Sequence, residues 1–197
     1  MSDGGGPAGE DRFRPVDQVV LSDDWGRLTR HDFDYRRADG TWQRQRREVY
    51  DRGHAAAALL HDPVADALLL TRQFRLPMQV AGLDPFLIEV PAGLLDGAAP
   101  AERMRAELME ETGFEALTLG HVTDLVMSPG SVTEWIALFL GTYDRSRPAA
   151  RGGGLREEGE DIEILHPTVA QVRSLLSDGA IRDAKTVALI QHFLLTR

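Results

Sequence analysis

The run Glu107-Leu108-Met109-Glu110-Glu111-Thr112-Gly113-Phe114 puts three carboxylates into the last turn of a predicted helix. That is the unfavourable end for negative charge. The macrodipole already makes it partly negative, and like charges at i,i+4 repel. At about 100° per residue, Glu107, Glu110 and Glu111 fall within about 100° of one another on one face. Each unfavourable contribution costs ~0.3–1 kcal/mol. A bound divalent cation reverses all of them at once. Just upstream, Ala92 and Gly93 are small enough for a backbone carbonyl to approach the same cation. Carboxylate and carbonyl donors, without His or Cys, favour Mg²⁺ or Mn²⁺.

Such a site needs a strand, a tight loop and a helix in that order. Leu87-Ile88-Glu89-Val90-Pro91 reads as the strand and Gly93-Leu94-Leu95-Asp96-Gly97 as the loop. Pro100 suits the first turn of a helix and Gly113 its C′ position, which frames a helix over 100–112. Further strands are expected at 55–60, 67–71, 121–127, 132–142 and 162–165, and helices near 168–177 and 183–195. Before them, residues 17–50 read as three strands. Asp39-Gly40 is a hairpin turn between the last two. The resulting organisation is a disordered tail at 1–14, an antiparallel β-module at 15–52 and a larger α/β domain at 53–197. A module of this size is marginal alone and is expected to pack on another domain or subunit.

Two more groups of residues have chemical potential. Arg44, Arg46, Arg47, Arg52, Arg72 and Arg75 form a set of guanidinium forks suited to a diphosphate. Arg44 and Arg46 are equally compatible with a solvated strand face. Glu157, Glu158 and Glu160 follow Gly152-Gly153-Gly154 in a long segment, 145–159, that reads as a mobile loop able to close over a ligand. The triple glycine is no P-loop, since no Lys-Ser/Thr follows. The histidines have no metal spacing, and Trp25 and Trp42 are assigned to packing.

The whole chain sets outer bounds. Its 197 residues suffice for one full core and a small appended module. Apolar content of 43% and charged content of 27% are those of a globular protein. A net charge of −9 argues against nonspecific nucleic-acid binding. No apolar run approaches the ~18 residues that span a bilayer, so no membrane partner is expected. The N-terminus lacks the pattern of a secretory signal and cysteine is absent, so a cytoplasmic location is expected.

The segment Gly93 to Phe114 resembles the Nudix box, Gly-x5-Glu-x7-Arg-Glu-U-x-Glu-Glu-x-Gly-U, where U is bulky and apolar. Glu107 through Phe114 match its second half at every defined position. The first half departs from it. The interval from Gly93 to Glu107 is one residue short, the Arg slot holds Ala106 with Arg105 one place earlier, and the first Glu slot falls on Ala98 or Ala99. Leu21 to Trp25, Arg47 to Gly53, Thr71 to Arg75, Met127 to Glu134 and Glu158 to Ile162 are similar to the nucleoside-diphosphate-sugar branch of that family. Its GDP-mannose type, with a similarly shortened box, is closer than its ADP-ribose type.

The resemblance implies an α/β/α sandwich with a mixed sheet and an N-terminal antiparallel β-module that reaches a partner subunit in a homodimer. It implies Mg²⁺- or Mn²⁺-dependent hydrolysis of a sugar-linked diphosphate. Glu107, Glu110, Glu111, the Ala92 carbonyl and Glu158 are expected to hold the metals. Glu158 or Glu160 is the expected base, with Glu111 alongside in the catalytic set. Arg47, Arg52, Arg75, Glu89, Ser128 and Glu134 are the expected substrate contacts. The different-class alternative is an inactive Nudix domain that senses a nucleotide, which the absent box Arg and Glu keep open.

Overall fold

The computed structural model describes residues 12–197. Residues 1–11 of the expected tail lie outside that range. Phe13 and Arg14, assigned to the tail in the sequence, belong to the first strand and face Tyr35 and Asp34 across the ladder.

The chain divides into two compact units. The first comprises the residues up to Gly53 together with Ser128–Glu134. Three strands, β1 (Phe13–Asp23), β2 (Arg27–Arg36) and β3 (Trp42–Asp51), pair antiparallel in the order β1-β2-β3. Gly40 turns the second hairpin at φ 86°, with Asp39 accepting from the Thr41 amide. Ser128–Glu134 was expected inside the larger domain. It groups here because the Tyr50 amide donates to the Ser131 carbonyl and the Thr133 amide to the Tyr50 carbonyl. Trp25, assigned to packing, is 80% exposed on the β1–β2 turn. Trp42 instead lies under the Arg14 guanidinium, 3.8 Å from its ring centroid. Phe13, Val16, Val19, Val20 and Leu21 of β1 are exposed as well.

The second unit comprises His54–Met127 and Trp135–Arg197. Its sheet runs β10-β5-β4-β9-β8, with β6 added to β5 and β7 to β4. The strands are β4 (Ala55–Asp62), β5 (Ala67–Phe74), β6 (Phe86–Glu89), β7 (Ala92–Leu94), β8 (Thr118–Val126), β9 (Trp135–Thr142) and β10 (Glu163–Leu165). Only β4 and β9 are parallel, so the sheet is mixed. Helices α2 (Pro100–Glu107), α3 (Val169–Ser177) and α4 (Ala184–Thr196) cover it, and a short α1 (Leu76–Val80) joins β5 to β6.

The central strand β4 is apolar from Ala55 to Leu60, the stretch of it that is buried on both faces. Ala55, Ala57 and Leu59 pack with Val172 of α3 and Leu189 and Ile190 of α4. Ala56, Ala58 and Leu60 pack with Met104 of α2, Leu108 and Phe114. Period-2 alternation therefore feeds two cores, and the four alanines let helices approach from both sides. This is the expected α/β/α sandwich. Among the described residues no helix is long and apolar enough to cross a membrane.

Candidate active site

Pro100 opens α2 at its first turn and Gly113 closes the helical run at φ 72°. Between Leu108 and Thr112 the winding widens to a π turn. Such turns recur at functional sites because they re-aim side chains. Here the three glutamates are not equivalent. Glu107 and Glu111 are buried at 6% and 4% exposure, whereas the Glu110 side chain is partly exposed.

Both buried acids lie against β7. A Cβ on Gly93 would fall on the Glu107 carboxylate, so only glycine allows that approach. The Ala92 amide donates to Glu111 Oε2 at 3.2 Å. Arg103, which the sequence analysis passed over, braces the site. Its Nε donates to the Leu94 carbonyl at 3.0 Å and its Nη2 pairs with Glu107 and, at 3.7 Å, with Glu110. Arg103 and Glu107 are i,i+4 partners, a spacing legible in the sequence. Arg105 serves elsewhere, donating to the Ala116 carbonyl beyond the helix.

The 145–159 segment is not free along its length. The Ala149 and Ala150 amides donate to Gly113 O, Gly153 N to Glu111 O and Gly154 N to Glu110 O. These amides satisfy carbonyls that the helix end leaves open. The positive φ values of Gly152, Gly153 and Gly154, 65°, 101° and 81°, make this docking possible. The loop then turns back through Ile162 N to Gly153 O. Glu160 receives the Leu155 amide at 2.9 Å on Oε2.

Burial pushes the Glu111 carboxyl up to about 8, helped by the charges of Glu107 and Glu160. Burial also pushes Glu107 up to about 7, with Arg103 opposing and Glu110 and Glu160 adding to the rise. Three acids thus converge without matching positive charge. Among the described residues, no three such side chains are drawn in to hold an ion as they stand. The donor set nonetheless fits a hard divalent cation in kind: all oxygen, and reluctant to ionise without one. Glu158 is exposed in the turn Arg156–Glu158. Of the two expected bases, the geometry gathers Glu160.

The other expected contacts divide between the units. In the second, Glu89 is buried at 4% exposure, with Arg75 Nε 2.6 Å from its Oε2 and Lys185 Nζ 2.6 Å from its Oε1. Both carboxylate oxygens of Glu89, expected as a substrate contact, thus already have a cationic partner within the protein. Lys185 gave no signal in the sequence, since 96 residues separate it from Glu89. In the first unit, Arg52 Nε lies 3.6 Å from Glu134 and Arg47 donates to the Arg46 carbonyl. Ser128 forms a turn, its carbonyl accepting from Ser131 and Val132. Arg44 and Arg46 pair with Asp34 and Asp32 directly across the strands, each at 2.7 Å.

The family model for the GDP-mannose pyrophosphatase NudK N-terminal domain matches residues 12–50. A GDP-mannose pyrophosphatase of Pectobacterium atrosepticum is 42% identical over 91% of this chain and 93% of its own. One from Cronobacter sakazakii is 43% identical over 91% and 94%. The chain belongs to the nucleoside-diphosphate-sugar branch of the Nudix hydrolases. A crystal structure of an ADP compounds hydrolase superposes with a TM-score of 0.69, covering 94% of this chain and 92% of that one. At 20% identity it attests the fold. Nudix hydrolases generally require a divalent metal.

In this Nudix hydrolase the cost of the inward acids is directly measurable in metal-free protein. Glu111 has a folded pKa above its unfolded value. Its unfavourable contribution is absent below the unfolded pKa, near 4.5, and grows as pH rises toward about 8. Glu111→Gln is therefore expected to raise the melting temperature of EDTA-treated protein at pH 8 by roughly 2–8 °C, for about 1–2 kcal/mol. The gain should vanish near pH 4.5. Thermal scans at the two pH values check this, and a lower melting temperature at pH 8 would contradict it.

Proposed function

We infer that this chain hydrolyses the diphosphate of a nucleoside diphosphate sugar, and we assign GDP-mannose as that substrate. The products are then GMP and mannose 1-phosphate. The observation that carries this reading is the 42–43% identity, over nine-tenths of the chain, to proteins named GDP-mannose pyrophosphatase. The buried acids support it independently. A nucleotide sensor has no use for two carboxylates buried against their own repulsion.

Glu107, Glu110, Glu111 and the Ala92 carbonyl are the donors we assign to Mg²⁺ or Mn²⁺. When bound there, the cation supplies charge neutralisation of the diphosphate, polarisation of the P–O bonds and acidification of water. Arg75 is the guanidinium we assign to the diphosphate oxygens. Its Nε is tied to Glu89, and among the described residues its two Nη groups make no hydrogen bond. Four N–H donors therefore remain for an anion. Glu160 accepts the proton of the attacking water in this reading. The Leu155 amide holds one of its oxygens and leaves the other available. Arg47, Arg52, Ser128 and Glu134 are retained as proposed contacts to nucleoside or sugar. A cytoplasmic enzyme acting on a soluble nucleotide sugar completes the assignment.

A panel of nucleoside diphosphate sugars with Mg²⁺, read by product analysis, tests the substrate. GDP-mannose is expected to be turned over fastest, EDTA to abolish turnover and Mg²⁺ or Mn²⁺ to restore it. Full activity without metal, or faster turnover of ADP-ribose, would overturn the assignment. The base is tested separately. Glu160→Gln is expected to lower kcat by about 100-fold or more, in the range of general-base loss. Glu158→Gln should stay within about threefold of wild type. The reverse order would move the base to Glu158.

A homodimer is proposed on the exposure of β1. Its Phe13, Val16, Val19, Val20 and Leu21 are all uncovered in the isolated chain, and a three-stranded sheet needs an apolar face buried to persist. Sedimentation at micromolar concentration is expected to give a dimer. A monomer there would refute it.

A further inference from the structure

Tyr143 carries a buried hydroxyl that the reaction above does not use. The residue follows β9 and has 0% exposure. Its hydroxyl lies 2.9 Å from Nδ1 of His166, the residue after β10. The two rings stack with centroids 5.9 Å apart at 19°. Phe114, next to Gly113 at the end of the acid-bearing helix, sets its ring edgewise to both, 5.3 Å from Tyr143 and 5.2 Å from His166. Edge-to-face contact is a favoured geometry for aromatic pairs.

Tyr143 and His166 bracket the segment 144–165, which carries Glu160. Its entry is fixed to β4, where the Tyr143 amide donates to the His61 carbonyl at 3.1 Å and the Arg145 amide to Asp62 Oδ2 at 2.9 Å. Its exit is β10, paired with β5. Between the two, the amides of Ala149, Ala150, Gly153 and Gly154 cap the helix end. The Tyr143–His166 bond therefore joins the two feet of the segment, and Phe114 packs that joint against the helix it caps.

The direction of the bond follows from what each group can do. A buried phenol O–H without an acceptor costs the desolvation of the donor. Among the described residues His166 is the acceptor within reach of Tyr143. The phenol therefore donates, and Nδ1 must be bare. Burial pushes the Tyr143 hydroxyl well above its ordinary range, so it stays a donor. Burial lowers His166 below its ordinary value, with the Arg145 charge adding to the fall and Asp62 opposing it. The polar and charged groups facing His166 are thus Tyr143 after β9, Arg145 in the segment and Asp62 at the end of β4, with Phe114 closing the apolar side. Asp62 is already engaged by the amides of Val64, Ala65 and Arg145. A proton on Nδ1 would set two donors against each other.

We propose that Tyr143 and His166 are positioning residues for the hydrolysis: the hydrogen bond from the phenol to neutral His166 latches the two feet of segment 144–165 together and so keeps Glu160 turned toward Glu107 and Glu111. The proposal rests on the reading that Glu160 accepts the proton of the attacking water. It assigns neither latch residue a contact with substrate. Above the ordinary histidine value of 6.5, His166 is neutral whether the segment is latched or open, and the latch has its full strength. Below it, the open segment takes up a proton that the latched one resists, so opening gains ground as pH falls.

Hydrogen exchange of the Gly153 and Gly154 amides reads the latch without reference to catalysis, with Ala57 of β4 as internal standard. Tyr143→Phe removes the hydroxyl alone. It is expected to lower protection of Gly153 and Gly154 by roughly three- to tenfold, the ordinary worth of one hydrogen bond, and to leave Ala57 unchanged. With Mg²⁺ and GDP-mannose, kcat should fall by a similar factor while KM stays within about twofold. His166→Asn offers an amide oxygen near the place of Nδ1 and does not titrate, so it should keep wild-type protection and kcat at about pH 8. Between about pH 8 and about pH 5, protection of Gly153 and Gly154 relative to Ala57 should fall in the wild type, in step with the NMR titration of the His166 ring, and stay level in His166→Asn. The wild-type titration depends on no variant folding. Unchanged protection or unchanged kcat in Tyr143→Phe overturns the proposal. So does an equal loss at Ala57, the mark of a general loss of stability, or the same pH response in wild type and His166→Asn. The underlying reading fails on a different result: wild-type kcat in Glu160→Gln, whatever Tyr143→Phe does.

Discussion

Two carboxylates cannot be buried side by side at the negative end of a helix unless something offsets their repulsion. Glu107 and Glu111 are buried in that position, and much of the second unit responds to it. Backbone N–H groups supply part of the response. The Ala92 amide points at Glu111, while Gly153, Gly154, Ala149 and Ala150 donate to the carbonyls of Glu110, Glu111 and Gly113. Those carbonyls are where the macrodipole concentrates its negative charge, so capping them removes one source of the repulsion. Arg103 supplies a full positive charge at the edge. What is left uncompensated still keeps both carboxyls well above the usual range. The site is therefore a place where divalent charge is favourable before any ligand geometry is considered.

The glycine loop acquires a different meaning from this constraint. Three glycines before a run of acids look like a hinge. Yet a Cβ at Gly152 would meet the Thr112 backbone, and one at Gly154 would meet the Glu160 side chain. These glycines are there for close approach as well as for their positive φ. The same docking that caps the helix brings Glu160 back toward Glu107 and Glu111. Positioning of the proposed base and satisfaction of the helix end are one structural event, and Glu158 lies in the exposed turn just before it.

Much of this architecture was legible in the sequence where local rules govern. Pro100 and Gly113 framed the helix because each is suited to one end of it, and Ala55 to Leu60 read as a strand because it is an unbroken apolar run of strand length. The octet from Glu107 to Phe114 named the chemistry. The π turn was not legible: an α-helical wheel treats Glu107, Glu110 and Glu111 alike, and only packing of Leu108 and Phe114 against the sheet shows which acids face inward. Lys185 was invisible for another reason. Its partners Glu89 and Arg75 lie on β6 and at the end of β5, and no pattern along the chain links a helix N-terminus to them. Glu160 and Glu158 differ by two residues, and only the fold of the loop separates them.

The departures in the first half of the Nudix box have a physical resolution in Arg103. A brace between loop and helix need not be an ion pair. Restoring a carboxylate at Ala98 or Ala99 would add a further acid to a loop and helix already short of positive charge, and an arginine at Ala106 would then be needed to neutralise it. Arg103 avoids that by joining the helix to the Leu94 carbonyl, a neutral acceptor, while spending its charge on Glu107. Arg105 performs the matching task on the far side, tying the helix to the Ala116 carbonyl. Two arginines two residues apart thus stitch the helix to the segments before and after it, and both draw on backbone carbonyls that a buried loop must satisfy in any case. On this account the shortened box is not a degraded one. The pair is replaced by a brace that carries one fewer buried charge, and the acids that give the site its chemistry are all retained.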